Sequence, residues 1–239
     1  MENLNEQDVL LKESDILDAK LQRRSFLQYA GASAAALALV AAGCRKDRGY
    51  QPMASGVTLD FKDDTGVLNY AYALEQLEAA FYIQVASNPP SGFTTAQKNY
   101  FQDVQFHEIA HREFFKKALG ASAIGNLEVN FSSIDFTSAT SVLATAKTFE
   151  DLGVAAYNGA GVRLTNSTNL VIAGQIVSVE ARHAAWVRDQ ISNGSFADLA
   201  SLSAFGAVNT NGLDGALTPD KVLGLAKPFI KTNINVINL

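Results

Sequence analysis

The sequence holds a single cysteine, Cys44, in 239 residues. That excludes an intramolecular disulfide and any CxxC zinc or rubredoxin-type cluster. Phosphate-loop and GxGxxG fingerprints are missing too, so neither common nucleotide-binding signature is present. Cationic excess is also lacking: 19 Lys and Arg against 24 Asp and Glu give a formal charge of −5, which offers no polycationic face for nucleic acid. The longest apolar run, residues 30–43, stops short of the roughly 20 residues that a bilayer crossing takes. Histidine occurs three times and tryptophan once. What remains is an apolar-rich globular composition, 48% apolar and 18% charged, long enough for one large domain or two small ones.

The N-terminus reads as an address. Residues 1–22 are polar and unpatterned, Arg23-Arg24-Ser25-Phe26-Leu27 follows, and the apolar run then ends Val40-Ala41-Ala42-Gly43-Cys44. This resembles a twin-arginine (Tat) signal ending in a lipobox, although Ala41 stands where leucine is commoner. The resemblance implies passage of the folded protein through the Tat export machinery, cleavage before Cys44, lipidation of that cysteine and residence in the bacterial cell envelope, tethered to a membrane. The other reading keeps the apolar run as an anchor helix. Removing residues 1–43 leaves 15 basic and 18 acidic side chains, a net −3. We therefore divide the chain into a signal at 1–43, a linker at 44–60, a helical domain at 61–195, and a C-terminal extension at 196–239 with a short helix over 219–229.

Within 61–195 four segments have helical period and almost none alternates as a strand would. They run over 64–86, 94–120, 137–163 and 168–192. The fold class is all-α, an antiparallel four-helix bundle. The segment 120–136 is longer than the other two connections and serves as a crossover between helices two and three. Gly153, Gly159 and Gly161 lower helix propensity in helix three and point to close packing or access there.

Polar residues interrupt the apolar stripes in a repeating way. Helix two reads Phe101, Val104, Glu108, His111, Phe115, and helix four reads Ala173, Ile176, Glu180, His183, Val187. Positions i and i+3 are surface neighbours, so each Glu-x-x-His presents a carboxylate and an imidazole in one direction. Two of only three histidines preceded by such a glutamate would arise by chance about once in two hundred chains of this composition. Helices one and three carry Glu75 with Tyr82, and Glu150 with Tyr157, at the same interval. The second half repeats the first, and a pseudo-two-fold axis would gather Glu75, Glu108, His111, Glu150, Glu180 and His183 at one point. Four carboxylates and two neutral imidazoles carry −4, which two divalent ions cancel, and carboxylates can bridge such a pair. Glu78, one turn from Glu75, is a further candidate ligand, but its counterpart is Gly153. Tyr82 and Tyr157 are candidates for hydrogen bonding to the ligands or for a redox role, and read equally well as core tyrosines with satisfied hydroxyls. His107 points about 100° away from Glu108 and reads as a surface residue. Trp186 and the phenylalanines at 81, 101, 114, 115 and 149 read as core.

Leu74-Glu75-Gln-Leu-Glu78-Ala-Ala-Phe-Tyr82 and Phe149-Glu150-Asp-Leu-Gly153-Val-Ala-Ala-Tyr157 resemble the ferritin-like di-metal carboxylate superfamily, and within it the desiccation-related ferritin-like proteins. The resemblance implies a ferritin-like bundle with those six ligands and two Fe or Mn ions, Fe placed first. Two functions follow. One is an oxidase-, peroxidase- or catalase-like site acting on peroxide or dioxygen in oxidative or desiccation stress. The other is a non-enzymatic metal-binding or structural lipoprotein. The lack of a four-cysteine module argues against a rubrerythrin-type electron chain, and an acyl-tethered chain is poorly placed to close a storage cage. A smaller homo-oligomer stays open.

Overall fold

The computed structural model describes residues 56–239. The twin arginine Arg23-Arg24, the apolar run, Cys44 and residues 45–55 lie outside the described residues. Among those described, no helix is long and apolar enough to cross a membrane.

Four helices carry the fold: α1 Asp64–Ser87, α2 Thr95–Leu119, α3 Ala139–Gly161 and α4 Ser167–Ile191. Each starts where a side chain satisfies free backbone N–H groups, supplied by Asp63, Thr94, Ser138 and Asn166. Thr94 and Gln97 form a reciprocal capping box. Helix α1 packs on α2 and α3 on α4 across the short connections 88–94 and 162–166. Asp64 ties the two pairs together, accepting from the backbone N–H of Thr165 at 2.8 Å and of Asn166 at 3.1 Å. The start of α1 and the end of α2 share an apolar cluster with the end of α3 and the start of α4, through Tyr72, Phe115, Tyr157 and Ile176. The opposite end holds Tyr82, Phe101, Phe149 and Val187. Neighbours in each pair are therefore antiparallel, and the crossover 120–138 runs the length of the bundle.

That crossover explains polar residues that helical period leaves unassigned. Asn69 and Gln76, seven residues apart on α1, are buried, and both bond crossover backbone. Asn69 donates to the Ser122 carbonyl at 2.9 Å and accepts from Ile124 N–H at 2.7 Å, while Gln76 accepts from Leu127 N–H at 2.8 Å. Buried amides paired in this way avoid the cost of unmet hydrogen bonds and fix the crossover in register.

Two expectations need correction. The proposed linker does not extend to residue 60, because Gly56–Asp60 forms strand β1, paired in parallel with β2, Asn233–Ile237, at the far end of the chain. Five-residue strands with one buried side chain, Leu59, give too little alternation to read from sequence. The C-terminal extension bears its expected short helix. It contains helix α5, Pro219–Ala226, and a 3-10 turn at Lys227–Phe229, and its Val222 and Ala226 are fully buried. It covers α3: Leu217 N–H donates to the Ala155 carbonyl at 3.0 Å, and a Cβ at Gly159 would lie 1.8 Å from the Leu217 carbonyl oxygen. The glycine of α3 that looked costly is thus the place where the extension's backbone touches the helix. Gly161 has no such neighbour, with only a Leu170 methyl at 3.8 Å. Helices α1 and α3 are consequently buried on nearly every side, α1 under the crossover and α3 under the extension. Phe114, expected in the core, is 40% exposed, whereas Phe81, Phe101, Phe115 and Phe149 are buried.

Candidate metal centre

Between the two apolar clusters lies a layer of charge. Glu75, Glu108, Glu150 and Glu180 are each at most 1% exposed, and His183 is 4% exposed. They gather because α1 and α3 each turn one glutamate inward while α2 and α4 each turn a Glu-x-x-His pair inward, at matching depths in an antiparallel bundle.

Two donor groups result. One comprises Glu75, Glu108, His111 and Glu180, and the other Glu108, Glu150, Glu180 and His183, with the ligand atoms of each group all within 4.8 Å of one another. His111 Nδ1 stands 2.8 Å from Glu180 Oε1, 3.5 Å from Glu75 Oε2 and 3.7 Å from Glu108 Oε2. His183 Nδ1 stands 3.1 Å from Glu108 Oε1, 3.2 Å from Glu180 Oε2 and 3.5 Å from Glu150 Oε2. Glu108 and Glu180 therefore offer one oxygen to each group, the disposition of a bridging carboxylate. Glu75 and Glu150 each offer one oxygen and give the other to a tyrosine of the opposite pair: Tyr157 donates to Glu75 Oε1 and Tyr82 to Glu150 Oε1. The sequence pairs each tyrosine with the glutamate of its own helix, but seven residues is two turns, about 10 Å of rise, so the hydroxyl reaches across to the other helix instead.

Hydrogen bonding tests whether these residues suit a cation. Glu75 Oε2, both oxygens of Glu108, Glu150 Oε2, Glu180 Oε1 and His111 Nδ1 are buried without a hydrogen-bond partner. His111 Nδ1 and Glu180 Oε1 stand 2.8 Å apart, yet both are among the buried atoms without a hydrogen-bond partner. Buried polar atoms seldom go unmatched, and oxygen and imidazole nitrogen donors aimed at one small volume fit a first-row divalent ion. Glu78 is buried as well but belongs to neither group. Its carboxylate fills the space a side chain at Gly153 would need, 3.0 Å from the Cβ position.

The charge layer is electrostatically strained. Burial pushes Glu108 up to about 8, helped by the neighbouring Glu180, and pushes Glu150 up to about 7. Glu75 is raised by burial, and Glu78 well above the carboxylate range by burial and four surrounding carboxylates. Burial would raise Glu180 too, but His111 and His183 outweigh it and hold that carboxyl at about 2. Burial alone would lower both imidazoles, and the facing carboxylates raise them instead. Groups raised on folding stabilise at pH values below their unfolded pKa, and that stabilisation is lost as pH climbs through the folded value. Ion-free protein is therefore expected to melt about 5 °C or more lower at pH 8 than at pH 5. Metal affinity should run the other way, because binding displaces those protons. Thermal melts of chelator-treated and metal-supplemented protein at the two pH values check both signs.

Two features escaped sequence reasoning. His107 is exposed, as its helical position suggests, yet its Nδ1 lies 2.9 Å from His183 Nε2 with the rings nearly parallel at 13°. A 100° rotation on α2 turns it away from Glu108 but toward α4. Tyr100, also on α2, donates to the His183 carbonyl at 3.0 Å and stacks on Trp186 at 3.6 Å, and Trp186 is half-buried against the core cluster.

Among curated proteins no match is found. The model of the ferritin-like domain family matches residues 63–193, more than half of the 239-residue chain, and spans all four helices and all six donor residues. The chain belongs to the ferritin-like domain family.

Proposed function

We propose that this protein holds two Fe or Mn ions, Fe the favoured one, and uses them in an oxidase-, peroxidase- or catalase-like reaction that protects the cell envelope during oxidative or desiccation stress. The observation that carries the reading is the paired donor set, in which Glu108 and Glu180 each supply an oxygen to both groups while Glu75 with His111, and Glu150 with His183, complete one group each. When bound, such ions supply reversible one-electron chemistry and polarise a small oxygen species.

The chain's own residues set the limits of that chemistry. The apolar layers on either side exclude water, and the carboxylates are at most 1% exposed, so a substrate must be a few atoms across, as dioxygen and peroxide are. Tyr157 and Tyr82 hold protons at Glu75 Oε1 and Glu150 Oε1, which fixes the remaining oxygen of each carboxylate inward. The chain carries one cysteine, outside this domain, so electrons would come from a diffusing reductant.

Location follows from the N-terminus. Arg23-Arg24 and Cys44 support Tat export and an acyl tether, and export after folding would let the cytoplasm decide which ion is loaded. Hydrogen peroxide consumption by metal-loaded full-length protein tests the reading, with dioxygen uptake in the presence of a small reductant as the second assay. Turnover well above that of the Glu108→Ala/Glu180→Ala variant supports it. A protein that binds metal but consumes neither substrate would be the non-enzymatic metal-binding lipoprotein.

A further inference from the structure

We propose that His107 is a positioning residue for His183, and that it makes the two ion positions unequal in affinity. The inference rests on the di-metal reading above. An imidazole that turns its Nδ1 lone pair to an ion carries its proton on Nε2, and that N–H needs an acceptor. His183 Nδ1 faces Glu108, Glu180 and Glu150 at 3.1 to 3.5 Å, and its Nε2 meets His107 Nδ1 at 2.9 Å. The His183 side chain is 5% exposed, which leaves solvent little room to take the acceptor's place. Without an ion His183 Nδ1 pairs with Glu180 Oε2 at 3.2 Å. With an ion in its place, His107 Nδ1 is positioned to accept from His183 Nε2–H, which holds the tautomer with Nδ1 free and fixes the ring plane. In the other tautomer a proton would occupy the point where the ion's donors converge.

His111 has no equivalent support. The internal repeat relates Glu108 to Glu180 and His111 to His183, so it relates His107 to Val179, an apolar residue that accepts no hydrogen bond. Among the described residues no side-chain hydrogen bond reaches His111 Nε2, and the His111 side chain is more exposed, at 13%. The position held by Glu150 and His183 has a fixed imidazole; the position held by Glu75 and His111 has a ring whose outer nitrogen faces partial solvent. Loss of such an outer partner lowers metal affinity by about 10- to 100-fold.

The test is an anaerobic titration of full-length protein with Mn²⁺ or Fe²⁺ at fixed pH, resolving the two binding steps, for the wild type and for His107→Val, His107→Gln and Val179→His. Wild type should bind two ions in unequal steps. His107→Val, which copies the residue at the related position, should weaken the tighter step by about 10- to 100-fold and leave the other unchanged. His107→Gln, with an amide oxygen to accept the N–H, should keep most of the tighter step, and Val179→His should strengthen the weaker one. A merely structural role would move both steps together. Unchanged steps in His107→Val, or equal weakening of both, overturns the proposal while leaving the di-metal reading in place. If His107→Val fails to fold, equal affinities in wild type or no effect of Val179→His overturns it. Wild type that binds no ion overturns both.

Discussion

On the proposed di-metal reading, Glu180→Ala is expected to empty both ion positions, whereas Glu75→Ala empties one. Glu180 sends Oε1 toward His111 and Oε2 toward His183, so its removal takes a donor from each group at once. Glu75 sends a single oxygen inward, toward His111, and its other oxygen is held by Tyr157. Expected metal contents after desalting are therefore near zero for Glu180→Ala and about one ion per chain for Glu75→Ala. Glu108→Ala should follow Glu180, and Glu150→Ala should follow Glu75, by the pseudo-two-fold. Stability should move the opposite way. Glu75, Glu108 and Glu150, which burial raises, are liabilities without a cation, so ion-free Glu108→Gln should melt above ion-free wild type while gaining far less from metal. Elemental analysis and thermal melts on the same preparations separate a ligand from a structural residue. A structural glutamate would lose stability in both states.

The second large effect lies away from the carboxylate–histidine cluster. Arg188 and Asp151 form an ion pair at 2.8 Å between α4 and α3, with side chains only 3% exposed, and Arg188 also donates to Ser201 in the extension at 2.7 Å. Burial raises Asp151, and Arg188 pulls it back. Arg188→Leu leaves a buried carboxylate without its counter-ion and should cost about 3–5 kcal/mol. That corresponds to a melting point roughly 8–15 °C lower in a domain of this size. Arg188→Leu/Asp151→Leu should recover most of the loss, because no charge is then stranded. Denaturant unfolding of the three proteins measures the difference. If the double variant is as unstable as Arg188→Leu, the cost comes from the lost Ser201 contact and not from the pair.

Much of this centre was legible because helical period is a local property. Glu108-x-x-His111 and Glu180-x-x-His183 interrupt apolar stripes, and a stripe points one way whatever the helix packs against. The four helix limits fell within two residues of expectation since caps such as Asp63, Thr94 and Asn166 act on their own turn. The features that sequence did not disclose depend on contacts between distant segments. The partner of Tyr82 is Glu150 rather than Glu75, because the angle and spacing of α1 and α3 decide it. His111 lies nearer Glu180, on another helix, than Glu108 on its own. His107 was read as a surface residue because rotation about α2 locates it relative to Glu108 but says nothing of where α4 lies. Asn69 and Gln76 find their partners in the crossover backbone, which the period of α1 does not locate. The β1–β2 pair joins residues 56–60 to 233–237, and no window along the chain spans that separation.

The most direct test of the account is the metal content of wild-type protein. Full-length protein purified after expression with added iron and manganese, or reconstituted without oxygen, is analysed for all first-row metals against protein concentration from amino-acid analysis. About two Fe or Mn ions per chain is the expected result. Less than one metal ion per chain under both supplements would contradict the claim that the six buried donors form a di-metal centre.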